Sequence, residues 1–227
     1  MLYQEYLDWG EVDVDFILRD GKLVYATVTD NHPTLEFSFA PTGINMPSRH
    51  SLSRQQQMID DVVRTALAAG ARNMVGHFEG KWTREKGDKF VLFDANPRVG
   101  GRPVVPLNED VYGVDLIKEQ LITWANIPGP PHVPTQMRPN YHVFGKVVFP
   151  KRSGILSAVQ GWEELLKDKR VYKPATMLLT NIGAKITASS VQMDRVYVVS
   201  AKGRTAAEAE ANYKALIKKY KLTVVLE

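Results

Sequence analysis

Between Glu11 and Val28 the chain alternates with a period of two around an Asp-Gly pair. Val12, Val14, Phe16 and Leu18 fall on one side and Asp13 and Asp15 on the other, and Arg19-Asp20-Gly21-Lys22 separates this run from Leu23-Val24-Tyr25-Ala26-Thr27-Val28. Successive side chains of a strand point to opposite faces, and Asp-Gly accepts the positive φ angles of a two-residue turn. The pattern predicts a β-hairpin with one buried face and a polar side carrying the two aspartates. Thr29 to Ser51, with Pro33, Pro41, Gly43 and Pro47, reads as a long ordered loop. Met58, Ile59, Val62, Val63, Ala66 and Leu67 then recur at helical spacing, with Ser53 and Gln56 as a capping box and Gly70 as the stop.

Two short strands follow, around Met74 to Thr83 and Phe90 to Asn96, and then a helix from about Tyr112 to Ala125 with Val114, Ile117, Leu121, Ile122 and Ala125 on its apolar side. Ile127-Pro128-Gly129-Pro130-Pro131-His132-Val133-Pro134 is the strongest linker composition in the chain. It divides the sequence into residues 1–126, a linker over 127–136, and residues 137–227. In the last part Tyr141 to Phe149, Ile182 to Ala188, Arg195 to Ser200 and Leu222 to Leu226 read as strands. Trp162 to Lys167 and Thr205 to Tyr220 read as helices, the second capped by Thr205 with Glu208.

Composition narrows the chemistry. Lys and Arg number 29 against 25 Asp and Glu, a net charge of +4 that suits a nucleotide or phosphate but falls short of a nucleic-acid binder's basic stripe. With no cysteine, any reaction must run on carboxylates, His, Lys, Arg or a metal held by oxygen ligands, and a reducing cytoplasm fits best. The first residues lack the regions of a signal peptide, and no apolar run approaches the ~20 residues that a membrane helix needs. The expectation is a soluble cytoplasmic protein.

The informative segment runs from His77 to Gly101. If Lys86-Gly87 is a two-residue hairpin turn, Glu79 sits opposite Asp94 and His77 opposite Asn96, all on one face. Cross-strand neighbours lie ~4.5–5.5 Å apart at Cβ, so Glu79, Asp94 and Asn96 can hold one or two hard cations, and without a cation the facing carboxylates would repel. The competing reading is a solvated face on which Glu79 and Asp94 pair with Lys81 or Arg98. Asn96-Pro97-Arg98-Val99-Gly100-Gly101 weighs against it, because a Gly pair after an Arg lets the backbone approach a bulky anion that the guanidinium contacts.

His77-Phe78-Glu79, followed by Phe93-Asp94-Ala95-Asn96-Pro97-Arg98-Val99-Gly100-Gly101, resembles the metal-binding signature of ATP-grasp ligases. The Arg-x-Gly-Gly ending is most similar to the carnosine synthase and L-amino-acid ligase branch. Gln4-Glu5-Tyr6-Leu7-Asp8-Trp9-Gly10-Glu11 resembles that family's adenine strand. The resemblance covers most of residues 1 to 126.

It implies an α+β fold: the C-terminal catalytic subdomain of an ATP-grasp enzyme, an antiparallel sheet with packed helices, followed by a small β-rich α+β domain. It implies that the backbone of Gln4, Glu5 and Leu7 contacts adenine and that Glu11 contacts the ribose. Glu79, Asp94 and Asn96 would bind Mg²⁺ or Mn²⁺, with Asp94 at a bridging position more often occupied by Glu, and Arg98 would stabilise charge in the reaction. His77, Lys81 and Arg102 would stand near substrate carboxylates or phosphates.

The activity so implied is an ATP-dependent joining of a carboxylate to an amine, amino acids or other small molecules, through an acyl phosphate, with ADP and phosphate released. The rivals are a biotin-carboxylase-like enzyme that activates bicarbonate and a non-catalytic nucleotide-binding module. Neither nucleic acid nor membrane is an expected partner; a missing N-terminal half or a second copy is. The chain enters the family pattern at the adenine strand, which places the preceding domain and the glycine-rich lid before Met1. Weak or absent turnover by this chain alone is therefore expected.

Overall fold

The computed structural model describes residues 5–7, 10–35, 41–84, 87–133 and 138–227. In chain order the elements are β1 (Glu11–Arg19), β2 (Lys22–Asn31), β3 (Gly43–Met46), α1 (Leu52–Ala68), β4 (Met74–Thr83), β5 (Lys89–Asn96), α2 (Val104–Tyr112), α3 (Leu116–Trp124), β6 (His142–Val148), β7 (Gly154–Gln160), α4 (Trp162–Leu166), β8 (Met177–Leu178), β9 (Lys185–Ile186), β10 (Tyr197–Gly203), α5 (Ala206–Tyr220) and β11 (Thr223–Leu226). They form two compact units, Met1–Pro33 with Ser48–Arg138, and Thr34–Pro47 with Pro139–Glu227. The class is α+β with antiparallel strand pairing.

In the first unit the strands are ordered β5-β4-β1-β2. The β1–β2 hairpin closes through Asp20 (φ 50°) and Gly21 (φ 74°), the paired positive φ angles of a type I′ turn. Helix α1 lays Met58, Val62 and Ala66 on Val12, Val14, Phe16, Leu18, Phe78, Trp82 and Phe90, which closes one face of the sheet. Its N-cap is Ser51, whose hydroxyl accepts from the Arg54 amide; the cap expected at Ser53 lies inside the helix.

The opposite face is covered as well. Ile17, Tyr25 and Val75 pack against Val104 of α2, Leu116 of α3 and Val114 between the two helices. The expectation of a hairpin with a single buried face is therefore corrected: Asp13 is 6% exposed and Asp15 is fully buried.

The single helix expected from Tyr112 to Ala125 is two. Gly113 (φ 76°) ends α2 in the left-handed conformation and the Asp115 carboxylate caps α3 by accepting from the Lys118 amide. The side of α3 expected to be apolar is also corrected. It buries Leu116, Glu119, Gln120 and Thr123, and it exposes Ile117 and Leu121. Glu119 ties down the turn-rich stretch after α3, accepting from Arg19 Nη2 at 2.9 Å and from the His132 amide at 3.0 Å.

In the second unit β3-β6-β10-β8 form one antiparallel sheet and β11-β7-β9 a smaller one. The stretch read from sequence as loop thus supplies β3, whose partner β6 lies about a hundred residues downstream. Helix α5 packs across β6 and β10, with Tyr213 meeting Phe144 at 5.1 Å between ring centroids. Among the described residues no helix is long and apolar enough to cross a membrane.

Candidate metal and nucleotide site

The site is built by a one-residue irregularity. From the turn, β4 and β5 pair Thr83 with Lys89, Trp82 with Phe90 and Gly80 with Leu92, and the apolar members of these pairs face α1. The register then shifts, and Phe93 is left without an opposite number. Beyond it Glu79 pairs with Asp94 and His77 with Asn96. A side-chain period of two means that an extra residue carries everything past it to the other face. The bulge therefore takes Asp94 and Asn96 off the α1 side and sets them beside Glu79. The pairing expected from sequence is observed at these residues, although the two-residue turn assumed for it is not, because Arg84 to Asp88 separate the strands.

On that face β1 aligns with β4 so that Asp15 lies opposite His77, Asp13 opposite Glu79 and Glu11 opposite Lys81. Carboxylate oxygens of Glu11, Asp13 and Glu79 all lie within 4.8 Å of one another. Asn31 donates to Asp13 at 2.7 Å and to Glu11 at 3.3 Å. Burial, followed by the Glu79 charge, raises the Glu11 carboxyl above its ordinary range. Asp13 is raised further, first by burial, with His77 opposing and Asp15 and Glu79 adding to the rise.

Beneath the cluster runs a buried polar network. His77 Nδ1 meets Asp15 Oδ1 at 2.8 Å and its Nε2 meets Glu79 Oε1 at 3.3 Å. Burial disfavours the charged ring, but the Asp15 and Glu79 carboxylates beside it outweigh that and raise the imidazole to about 10. On the far side of Asp15, Asn108 of α2 donates to Oδ2 at 3.3 Å. Its carbonyl accepts from Tyr25 Oη at 2.6 Å and Thr27 Oγ1 at 2.9 Å.

The residues singled out in the sequence fall as follows. Gln4 lies outside the described residues. Glu5 is exposed, and the carbonyl of Leu7 accepts from Lys81 Nζ at 2.9 Å. Lys81 is buried, stands 5.2 Å from the Tyr6 ring, and holds the segment before β1 against β4. Asn96 donates to Asp94 Oδ2 at 2.8 Å and accepts from Arg98 Nη2 at 3.2 Å, so Asp94, Asn96 and Arg98 form one hydrogen-bonded run. Arg98 is exposed and also donates to the Val99 carbonyl at 2.8 Å, while the Val99 amide is held by Gln120 of α3 at 3.0 Å. Arg102 is exposed on the turn into α2. His77 differs from the expectation of a substrate-side residue, being 5% exposed with a carboxylate on each ring nitrogen. Asp13, Asp15 and Asn108 went unrecognised: alternating acids read as a solvated edge, and nothing local marks Asn108.

The donor set fits a hard divalent cation. Glu11, Asp13 and Glu79 offer it three carboxylate oxygens within 4.8 Å of one another, and the crowding that, with burial, raises Glu11 and Asp13 is what a cation would relieve. Glu79, half-buried, faces both the Glu11–Asp13 pair on β1 and Asp94 on β5.

No family model matches the chain. Carnosine synthase 1 of Gallus gallus is 32% identical over 167 residues, 71% of this chain and 17% of that protein. The Homo sapiens protein of the same name is 32% identical over 145 residues, 64% of this chain and 17% of its own length. The matched segment thus spans about a sixth of these relatives.

Among solved structures, the L-amino acid ligase from Bacillus licheniformis superposes with a TM-score of 0.81 over 98% of this chain and 53% of its own, at 14% identity. Phosphoribosylglycinamide synthetase from Anaerococcus prevotii gives 0.71 over 98% of this chain and 55% of its own, at 14% identity. Biotin carboxylase from Campylobacter jejuni, solved as a β,γ-ATP complex, gives 0.67 over 98% and 48%, at 13% identity. At such identities these likenesses establish the fold, and the residues of the site must be judged on their own geometry.

Proposed function

This chain is a member of the ATP-grasp superfamily with a sequence relative in carnosine synthase 1, and from that premise we propose that it serves ATP-dependent ligation of a carboxylate to an amine, with amino acids as the substrate class. Glu79, Asp94 and Asn96 are its divalent-metal ligands, and Glu11 and the backbone of Glu5 and Leu7 meet the nucleoside. The observation that carries this reading is the Phe93 bulge, which gathers Glu79, Asp94 and Asn96 on one face with Arg98 hydrogen-bonded to Asn96. A strand irregularity that moves two polar side chains beside a carboxylate is a recurrent device for aiming functional groups.

In the reaction a substrate carboxylate oxygen attacks the γ-phosphorus of ATP and ADP leaves. The amine nitrogen then attacks the acyl carbon, phosphate leaves, and the nitrogen gives up a proton. A bound Mg²⁺ or Mn²⁺ supplies charge screening for the triphosphate. Arg98, exposed and fixed through Asn96 and the Val99 carbonyl, presents a preorganised positive charge to the transferring group. Lys81 and Gln120 position: the first holds the backbone of Leu7, the second the turn that carries Arg98.

Calorimetric titration of Mg²⁺-ATP into the full chain tests the site. Saturable binding, weakened at least tenfold by Glu79→Ala and by Asp94→Ala, is expected, and identical isotherms for the three proteins would sink the assignment. Phosphate release screened over pairs of amino acids, with and without bicarbonate, tests the reaction. Release that requires both an acid and an amine supports a ligase, whereas release that requires bicarbonate alone replaces it with a carboxylase.

A further inference from the structure

We propose that His77 is a positioning residue, which aims the Glu79 carboxylate and seats the turn carrying Arg98, so that metal ligand and arginine are set by a single buried side chain. The inference rests on the metal-site reading above. Two independent observations carry it. The first is the run Asn108–Asp15–His77–Glu79, with contacts of 3.3, 2.8 and 3.3 Å, in which the first three members are 5% exposed or less. A carboxylate held at one oxygen by a fixed donor keeps the other oxygen aimed outward, which is the role that outer hydrogen bonds play for metal ligands generally.

The second observation lies across the ring. Gly100 packs directly on His77: a Cβ at that position would stand 2.7 Å from His77 Nδ1 and 2.8 Å from both Cγ atoms of Val104. Real Cβ contacts are essentially never so short. The first glycine of the Arg-x-Gly-Gly run is thus required by contact with the imidazole, beside any role it has toward an anion. Arg98 lies two residues before it, and its turn is closed by the Arg98 amide donating to Asn96 O at 2.8 Å. The ring is therefore wedged between Glu79 and this turn, and a shift of the ring is passed to both.

The test is uptake of Mn²⁺ by the full chain, read from the electron paramagnetic resonance of the free ion, with the melting temperature of each variant as the fold control. Outer hydrogen-bond partners of metal ligands are worth about 10–100-fold in affinity, and that loss is expected for His77→Ala and for Gly100→Ala, neither of which removes a ligand atom. His77→Gln places an amide N–H near the position of Nε2 and is expected to recover most of the loss. Glu79→Gln monitors the underlying reading. If it abolishes uptake while folded His77→Ala and Gly100→Ala stay within twofold of wild type, the positioning role is overturned and the metal site stands.

If wild type takes up no Mn²⁺, the metal-site reading fails, and the positioning claim is decided by nuclear magnetic resonance. Resolved Glu79 γ-methylene protons with Overhauser contacts to the His77 ring are expected in wild type, and loss of their separation in Gly100→Ala. Averaged Glu79 resonances in wild type would overturn the proposal.

Discussion

Replacing Asn108 with alanine removes the hub of the buried network without touching any residue assigned to metal or nucleotide. The Asn108 side chain accepts from Tyr25 Oη and Thr27 Oγ1 and donates to Asp15 Oδ2 and to the Val104 carbonyl. Tyr25 is 2% exposed, Thr27 4% and Asp15 0%, so none of them turns to bulk water when the amide is gone. A buried donor or acceptor left unmatched costs about 1–3 kcal/mol. Three such groups, less about 0.5 kcal/mol regained because alanine is the better helix former, bring the expected loss to about 2.5–8.5 kcal/mol.

That is a large part of the ~5–15 kcal/mol that holds a typical domain together. Tyr25→Phe is the matched control: it removes one partner and leaves the Asn108 carbonyl satisfied by Thr27, for an expected loss of about 1 kcal/mol. Urea unfolding followed by far-ultraviolet circular dichroism, with amide exchange of β1 and β2 to localise the effect, measures both. An Asn108→Ala protein within 1 kcal/mol of wild type, or a Tyr25→Phe protein that loses as much as it does, would refute the view of Asn108 as hub.

Gly80→Ala adds a Cβ onto the Phe90 ring and 2.7 Å from the Val91 carbonyl oxygen. The expected cost is about 1–3 kcal/mol of overpacking, seen as a lowered melting temperature, and an unchanged one contradicts the packing of β4 on β5.

In the second unit the Arg170 side chain holds the Asp168 carboxyl well below the ordinary range by donating from Nη2 at 2.7 Å and Nε at 2.9 Å, with Tyr220 Oη at 3.1 Å adding to it. A depressed carboxylate contributes stability that is fully present above its unfolded value of about 3.9 and is lost as the pH falls through the folded value. Asp168→Asn is thus expected to cost about 1 kcal/mol at pH 7, after allowance for solvent at the Arg170 end. The gap to wild type should narrow below about pH 4 in thermal melts, and a gap independent of pH contradicts the assignment.

How much of this was legible in the sequence depended on distance along the chain. The β1–β2 hairpin is written in its own Asp-Gly turn, and α5 in the Thr205 cap with Glu208. Gly113 followed by Asp115 marks the break between α2 and α3, yet the helical period that continues across it hides the break. The face of α3 was misjudged because tertiary partners decided it: Glu119 is buried by Arg19, a hundred residues away, and Ile117 is left exposed.

At the site, the acid, amide and arginine residues stand out as residue types, and Glu79 opposite Asp94 follows from pairing two strands. The bulge does not, because an extra residue shows only when both strands are in place. Asp13 and Asp15 alternate with valine and phenylalanine as solvated residues would. His77, opposite it on β4, and Asn108, 93 residues away on α2, together explain why Asp15 is buried and held.

The central claim is that the face shared by Glu79, Asp94 and Asn96 holds a divalent cation together with a nucleotide. Paramagnetic broadening by Mn²⁺ in the presence of ADP, mapped over the assigned amide resonances of the full chain, tests it most directly. Broadening is expected to centre on residues 77–81 and 94–98, with the start of β1 at Glu11 to Asp13 beside them. Broadening centred on any other surface, or a map unchanged by Glu79→Ala and Asp94→Ala together, would contradict it.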